Sequence, residues 1–307
     1  MTVLLTAYLA TLVRLMPMVV CVAAGFIWGR RDQPYPTAFV STLVTYVAIP
    51  ALVFNTLMTT PLKAETMTWV LGLSTLALLL AGVVVAMVLK LLRLPGSALG
   101  QTAWIPNAGN LGLPMSELVF GVEGLTVAIA FFAASSFVSF TLGLRWLTGA
   151  AGKVWKQPVV WATLLAIALR GADVVAPGWV LASAKLLGSM AVPLMLLTLG
   201  HTLSQLPRAG FKDGMGVAIA RFVSGAVVAA LLLLPMWFGL PSQLAAFLDP
   251  RLTAPIALQI LMPCAVNSYL FARLHSTSGD AAAGAVLIST LVFLALAPLL
   301  LWLVGLA

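Results

Sequence analysis

Charged residues are scarce in this chain. Only 8% of its 307 residues are Asp, Glu, Lys or Arg, against roughly 25% in an ordinary soluble domain. A soluble fold of this length needs a charged surface that so few side chains cannot supply, and disordered chains are more polar still. Hydrophobic residues make up 62% of the chain, and the mean hydropathy is +1.11. The composition therefore predicts an all-α membrane protein with several spans and the lipid bilayer as a partner.

Cysteines are also few, and catalytic motifs are missing. The two cysteines, Cys21 and Cys264, lie in apolar stretches, which implies neither a disulfide framework nor a metal site. The sequence contains no HExxH, GxxxxGK[ST] or GxSxG motif, so we expect no enzyme and no metal or cofactor beyond Na⁺ or H⁺ as a coupling ion. The net charge is +8, but the basic residues do not cluster into a patch along the sequence. We therefore expect no nucleic-acid partner.

Long apolar runs fill most of the sequence. A helix needs about 20 mostly apolar residues to span a bilayer, and the runs predict ten such segments with short connections. The predicted segments are 7–29, 36–59, 67–92, 98–121, 123–147, 157–176, 179–204, 212–238, 251–274 and 279–304.

The basic residues are distributed unequally between alternate loops. Ten Lys and Arg lie in one set of loops and adjoining helix ends, and three lie in the other set. Cytoplasmic loops carry the excess of basic residues. This bias predicts a multi-pass protein of the plasma or inner membrane with both termini outside the cytoplasm.

The sequence contains an internal repeat, with halves 1–150 and 151–307. Because each half has five predicted segments, the two halves would have opposite orientations. IPNAGN in the fourth segment and MPCAVN in the ninth align at a constant offset of 157 residues. The aligned pairs are Pro106 with Pro263, Ala108 with Ala265, and Asn110 with Asn267. Inverted repeats with proline-interrupted spans in matching positions indicate a secondary transporter and its binding site.

Both aligned prolines lie near the middle of their segments. Proline removes a backbone donor and clashes with the preceding turn, and unwound backbone at membrane depth is tolerated where it lines a cavity or is buried. The half-helix that follows each break would present its N-terminus, which favours an anion. We therefore predict a small organic anion as the ligand, with a site built at the two breaks. The candidate residues are Pro106, Asn107, Asn110, Gln259, Pro263 and Asn267.

Other polar residues within the segments have two interpretations each. Glu117 is a candidate proton or cation relay or an interface residue, and Ser135 and Ser139 are candidates for a cation site or for bonds within the helix bundle. Arg14 and Arg221 could attract an anion along its path, but we favour the other interpretation, in which their side chains snorkel to the interface. The paired prolines could also be ordinary kinks, with the asparagines bonding neighbouring helices.

The segment IPNAGNLGLPMSELVFGVEGL, from Ile105 to Leu125, resembles the signature of the auxin efflux carrier family. VAIPALVFNTL, MAVPLMLLTLGHTL and MPCAVNSYLFARL resemble other parts of that family, so the resemblance covers essentially the whole chain. Asn107 matches the asparagine that follows the proline in the plant carriers. Cys264, which we include among the candidate site residues, stands where those carriers commonly have glutamine.

The resemblance implies ten helices in two inverted five-helix repeats, a fold similar to that of the bile acid:sodium symporters. It implies a scaffold part, residues 1–66 and 157–206, and a transport part, residues 67–150 and 207–307. The fourth and ninth helices would cross at their prolines. A homodimer is the oligomer that we consider.

The function predicted is secondary transport of small carboxylates by an elevator-like alternating access. One alternative is a sodium-coupled symporter of a larger amphipathic anion. Another is a receptor that has kept the fold without transport.

Overall fold

The computed structural model describes residues 2–31, 33–150, 154–206, 210–238 and 248–303. These ranges are helical apart from their connections, and they contain no strand beyond one isolated bridge. The predicted all-helical class is therefore confirmed. The helices are α1 (Thr2–Arg30), α2 (Thr37–Thr59), α3 (Ala64–Leu91), α4 (Gly96–Trp104), α5 (Ala108–Thr148), α6 (Pro158–Gly171), α7 (Gly178–Gln205), α8 (Phe211–Phe238), α9 (Pro250–Ile260), α10 (Val266–His275) and α11 (Gly279–Leu303).

Six of the described helices are long and apolar enough to cross a membrane, namely α2, α3, α5, α7, α8 and α11. Met16–Arg30 of α1 and the whole of α6 are shorter apolar helices. Each of the ten predicted segments overlaps a described helix, and the predicted fourth and ninth segments are each interrupted. The number of passes stays a prediction.

Helix α5 is longer than one membrane span requires, with 41 residues against about 20. Its backbone leaves the helical conformation at Gly121, where φ is 66° and ψ is −153°. Glycine reaches this region without the strain that a Cβ would cause. The change of direction at Gly121 falls where the sequence predicts the boundary between the fourth and fifth segments.

The helices pack most extensively within two groups. In the first group, α1 lies along α7, and α2 packs against α6 and α7. In the second group, α8 packs against α3, α9 and α11, while α5 packs against α3 and α9. The two breaks in the helices lie in the second group, on the side that faces the first.

Glycine permits the close contact between α1 and α7. A Cβ at Gly200 would overlap the carbonyl oxygen of Val22, and a Cβ at Gly25 would overlap the carbonyl oxygen of Leu197. The two backbones therefore touch where each helix contributes a glycine, which fixes the distance between these helices.

Candidate binding site

Two short non-helical segments meet inside the second group of helices. The first break is residues 105–107, between α4 and α5, and the second break is residues 261–265, between α9 and α10. Pro106 and Cys264 form an antiparallel bridge. Two backbone hydrogen bonds close this bridge, from Asn107 N–H to Pro263 O (2.8 Å) and from Ala265 N–H to Ile105 O (3.0 Å). The structure thus brings together the two proline breaks that the sequence aligns.

Each break leaves helix ends in the interior. At a helix end the backbone groups of the terminal turn lack partners within the helix. The antiparallel bridge sets the start of α5 beside the end of α9, and the start of α10 beside the end of α4. Residues at both helix starts also line one cavity, and Arg221 contacts the last residue of both α4 and α9. The aligned peptide dipoles make the two helix starts partly positive and the two helix ends partly negative.

A cavity of about 310 Å³ adjoins the starts of α5 and α10. Its far wall comes from α2, α6 and α7, so the cavity lies between the two groups of helices. No Asp, Glu, Lys, Arg or His is among the described residues that line it. Its polar lining is Thr37, Ser41, Thr45, Asn107, Asn110, Ser135, Ser136, Ser139, Gln157, Thr198, Thr202, Asn267 and Ser268.

The asparagines predicted from the sequence all line this cavity. Asn107 is 3% exposed, and its side-chain nitrogen has no hydrogen-bond partner among the described residues. Asn110 is half-buried and Asn267 is exposed. Pro106 also contributes to the wall. Three amides and a helix start thus surround one end of the cavity.

Three other candidate residues lie in or next to the bridge and are not among the described lining residues. Gln259 is fully buried, and its Nε2 donates to the hydroxyl oxygen of Ser116 at 2.9 Å. The backbone N–H of Cys264 donates to Ser289 Oγ at 3.0 Å. Pro263 contributes its carbonyl oxygen to the bridge. These residues therefore hold the backbone of the breaks, and the structure does not place them in the cavity wall.

The candidate coupling residues separate into two places. Ser135 and Ser139 are buried and line the cavity. Gln101 Nε2 lies 3.4 Å from both the carbonyl oxygen and the hydroxyl of Ser139. Glu117 is exposed and is not among the lining residues. No group of three or more His, Cys, Asp or Glu side chains able to hold a metal occurs within the described ranges.

The interpretation of Arg221 as a snorkelling side chain is wrong. Arg221 is 0% exposed, and its guanidinium donates to the carbonyl oxygens of Trp104 and Ile260, the latter at 2.8 Å. The position of Arg221 along the chain favours snorkelling, because it lies only a few turns from the start of α8. The two carbonyls that hold it come from distant parts of the chain. The side chain of Arg14 lies outside the described residues.

Sequence reasoning missed the hydroxyl groups of the far wall. Thr37, Ser41 and Thr45 recur every four residues along α2, and Thr198 and Thr202 do the same on α7. This spacing places side chains on one face of a helix. A search of the apolar segments for hydroxyl residues at intervals of four would have found them.

The cavity opens toward one end of the helix groups. Thr37 begins α2, Gln157 directly precedes α6, and Thr202 is in the last turn of α7. These positions adjoin the loops that carry most of the basic residues. If the predicted orientation is correct, the cavity faces the cytoplasm.

Interrupted helices that pair beside a polar cavity, within a bundle of long apolar helices, are typical of multi-pass membrane transporters. A family model described as Membrane transport protein (Mem_trans) matches residues 11–156 and 151–303. The chain belongs to this family, and the predicted kinship with the auxin efflux carriers is confirmed.

The chain is also similar to a protein of Methanothermobacter thermautotrophicus that is described as an uncharacterized transporter. The two are 29% identical over 279 residues, which cover 84% of this chain and 85% of the relative. Together with the family match, this similarity shows that the chain is a membrane transporter.

Proposed function

We propose that this transporter is a secondary carrier of small organic anions, in particular carboxylates. The observation that carries the proposal is the unpartnered amide of Asn107 at the wall of the cavity. Buried polar groups in native proteins nearly always have a hydrogen-bond partner. A ligand oxygen in the cavity would supply the acceptor that the amide nitrogen lacks, and an ionised carboxylate is an acceptor only.

The electrostatics of the cavity support an anion. The starts of α5 and α10 carry partial positive charge, and helix N-termini bind anions through their backbone N–H groups. Asn110 and Asn267 add amide donors beside these helix starts. Amides bind a carboxylate without the desolvation cost of a buried ammonium or guanidinium in the cavity itself. This set of donors therefore suits one carboxylate group held at the breaks.

The size of the cavity supports a small ligand. Ligand pockets usually enclose about 300–1,000 Å³, and this cavity, at about 310 Å³, lies at the lower limit. The hydroxyl-rich far wall suits a ligand with further polar groups. Both features favour a small carboxylate over the larger amphipathic anion of the alternative hypothesis.

The architecture proposed for transport is ten helices in two inverted five-helix repeats. The pairing of the two aligned breaks supports this repeat, and the family match divides the chain into two stretches near residue 150. The first group of helices would be the scaffold, and the second would move against it as an elevator. The position of the cavity between the two groups supports this division.

Thermal unfolding of the purified protein with a panel of carboxylates tests the substrate class. A ligand that binds the native state stabilises it by about 2.7 kcal/mol at 100 times its Kd. We expect small mono- or dicarboxylates to raise the unfolding temperature, and matched neutral amides to leave it unchanged. Stabilisation by larger amphipathic anions alone, with a requirement for sodium, would favour the symporter hypothesis and contradict this proposal.

A further inference from the structure

Arg221 holds the partly negative ends of both helices that precede the breaks. Trp104 is the last residue of α4, and Ile260 is the last residue of α9. One guanidinium nitrogen of Arg221 donates to the carbonyl oxygen of Trp104, and the other donates to that of Ile260 at 2.8 Å. A single fully buried cation, which is not among the described residues that line the cavity, thus joins the two half-helices.

The two carbonyl oxygens that Arg221 contacts are groups that could also coordinate a metal ion. Carbonyl ends of interrupted helices coordinate Na⁺ in carriers built from broken helices, because the last carbonyls of a helix lack partners and carry partial negative charge. A guanidinium supplies a permanent positive charge and several N–H donors in a fixed plane. It meets the same electrostatic need without an ion from solution.

A glycine on α8 leaves room for the contact between Arg221 and the end of α9. Gly225 lies one turn after Arg221 on α8, and a Cβ at Gly225 would lie 2.7 Å from the carbonyl oxygen of Ile260. The same Cβ would lie 3.4 Å from the guanidinium of Arg221. Glycine at position 225 therefore lets α8 approach the end of α9 closely enough for the guanidinium to reach both carbonyls.

We propose that Arg221 is a built-in cation, which occupies the place of a coupling metal ion and makes transport independent of Na⁺ and K⁺. This inference rests on the proposed carrier function. Arg221 acts as a positioning residue: its charge holds the ends of α4 and α9 together, and the paired breaks then present the starts of α5 and α10 to the cavity. Charges of alternating sign thus follow one another from α8 to the cavity. The guanidinium of Arg221 comes first, then the partly negative ends of α4 and α9, then the partly positive starts of α5 and α10, and last the proposed anion.

The first test uses the unmodified protein in two measurements. Its unfolding temperature in detergent, without any carboxylate, should be the same in sodium, potassium and choline chloride at equal ionic strength. Uptake of a labelled carboxylate into liposomes should also agree among the three salts to within about twofold, since a cation-binding step would change affinity through mass action. A sodium-dependent increase of about tenfold or more in uptake, or a sodium-specific rise in unfolding temperature, overturns the inference.

The second test removes the charge. Arg221→Gln and Arg221→Ala leave two carbonyl ends without their cation, and the loss of a buried charged contact destabilises the fold. We expect a lower unfolding temperature that millimolar guanidinium, or sodium, partly restores and choline does not. Arg221→Lys keeps a positive charge and should gain no such response. Arg145→Ala, which removes an exposed arginine, is the matched control and should behave as the unmodified protein.

The outcomes of these tests are distinguishable from failure of the carrier function itself. Folded Arg221→Gln and Arg221→Ala proteins that respond to no cation overturn the role of Arg221, whatever is transported. Absence of carboxylate uptake in every salt, with the cation responses as expected, refutes the carrier proposal and leaves the built-in cation standing. If neither neutral variant folds, the measurements on the unmodified protein decide the inference alone.

Discussion

At the scale of single residues, the site combines groups that face the cavity with groups that hold the backbone. Asn107 belongs to the first kind because its amide nitrogen is unpartnered at the cavity wall. Gln259 and Arg221 belong to the second kind because they bond to Ser116 and to helix-terminal carbonyls. Polar residues at membrane depth thus divide between those that face the cavity and those that hold the backbone, and the sequence alone does not show which residue has which role.

Substitution of Asn107 tests the role of its amide. A hydrogen bond to a charged group contributes about 1.5–3 kcal/mol, so Asn107→Ala should weaken carboxylate binding by about 10- to 100-fold. Asn107→Asp places a negative charge beside the ligand and should weaken binding further. Titration of the unfolding temperature with the carboxylate measures both effects.

Asn55 offers a matched control for these variants. It lies near the end of α2 and is not among the described residues that line the cavity. Asn55→Ala should bind the carboxylate as the unmodified protein does. Equal binding by Asn107→Ala and Asn55→Ala would show that the amide of Asn107 does not contact the ligand.

At the scale of secondary-structure elements, the sequence predicted the two interruptions because proline acts locally. The loss of a donor and the clash at Pro106 and Pro263 follow from covalent structure, so the breaks could be located within a few residues. The role of Arg221 depends on contacts between distant parts of the chain, since Arg221 and Trp104 are 117 residues apart in the sequence. Such contacts exist only once the helices have packed.

The contact between α1 and α7 gives a prediction at this scale. Gly200→Ala places a Cβ against the carbonyl oxygen of Val22, and overpacking of this kind costs about 1–3 kcal/mol. We expect a lower unfolding temperature in detergent.

Gly72 on α3 is the matched control for this substitution. A Cβ at Gly72 meets no atom within 4 Å, and alanine stabilises a helix interior by about 0.5–1 kcal/mol relative to glycine. Gly72→Ala should therefore unfold at the same or a higher temperature. A Gly200→Ala variant as stable as Gly72→Ala would contradict the close contact of α1 and α7.

At the scale of the whole molecule, the cavity lies between two groups of helices and opens toward the basic loops. Composition and charge bias predicted a multi-span protein and an orientation, because both are sums over many residues. The far wall of the cavity could not be predicted in the same way. It forms only when α2, α6 and α7 pack opposite the breaks, which depends on contacts between distant parts of the chain.

Labelling of introduced cysteines tests the direction of the opening. Thr202→Cys, at the mouth of the cavity, should react with a membrane-impermeant maleimide in inside-out vesicles and be protected by the carboxylate. Lys63→Cys is exposed near the opposite end and should react in right-side-out vesicles. The unmodified protein is the control, because any labelling of it comes from the native cysteines, Cys21 and Cys264. Reaction of Thr202→Cys from the outside alone would contradict the predicted orientation or the cytoplasmic opening.

Flux of a labelled carboxylate through purified protein in liposomes tests the central claim most directly. We expect movement above that of protein-free liposomes, reduced about tenfold or more in Asn107→Ala and unchanged in Asn55→Ala, in line with the loss of a charged hydrogen bond. The measurement would contradict the account if folded protein bound a carboxylate without flux, as a receptor would. It would also do so if Asn107→Ala carried the anion as fast as the unmodified chain.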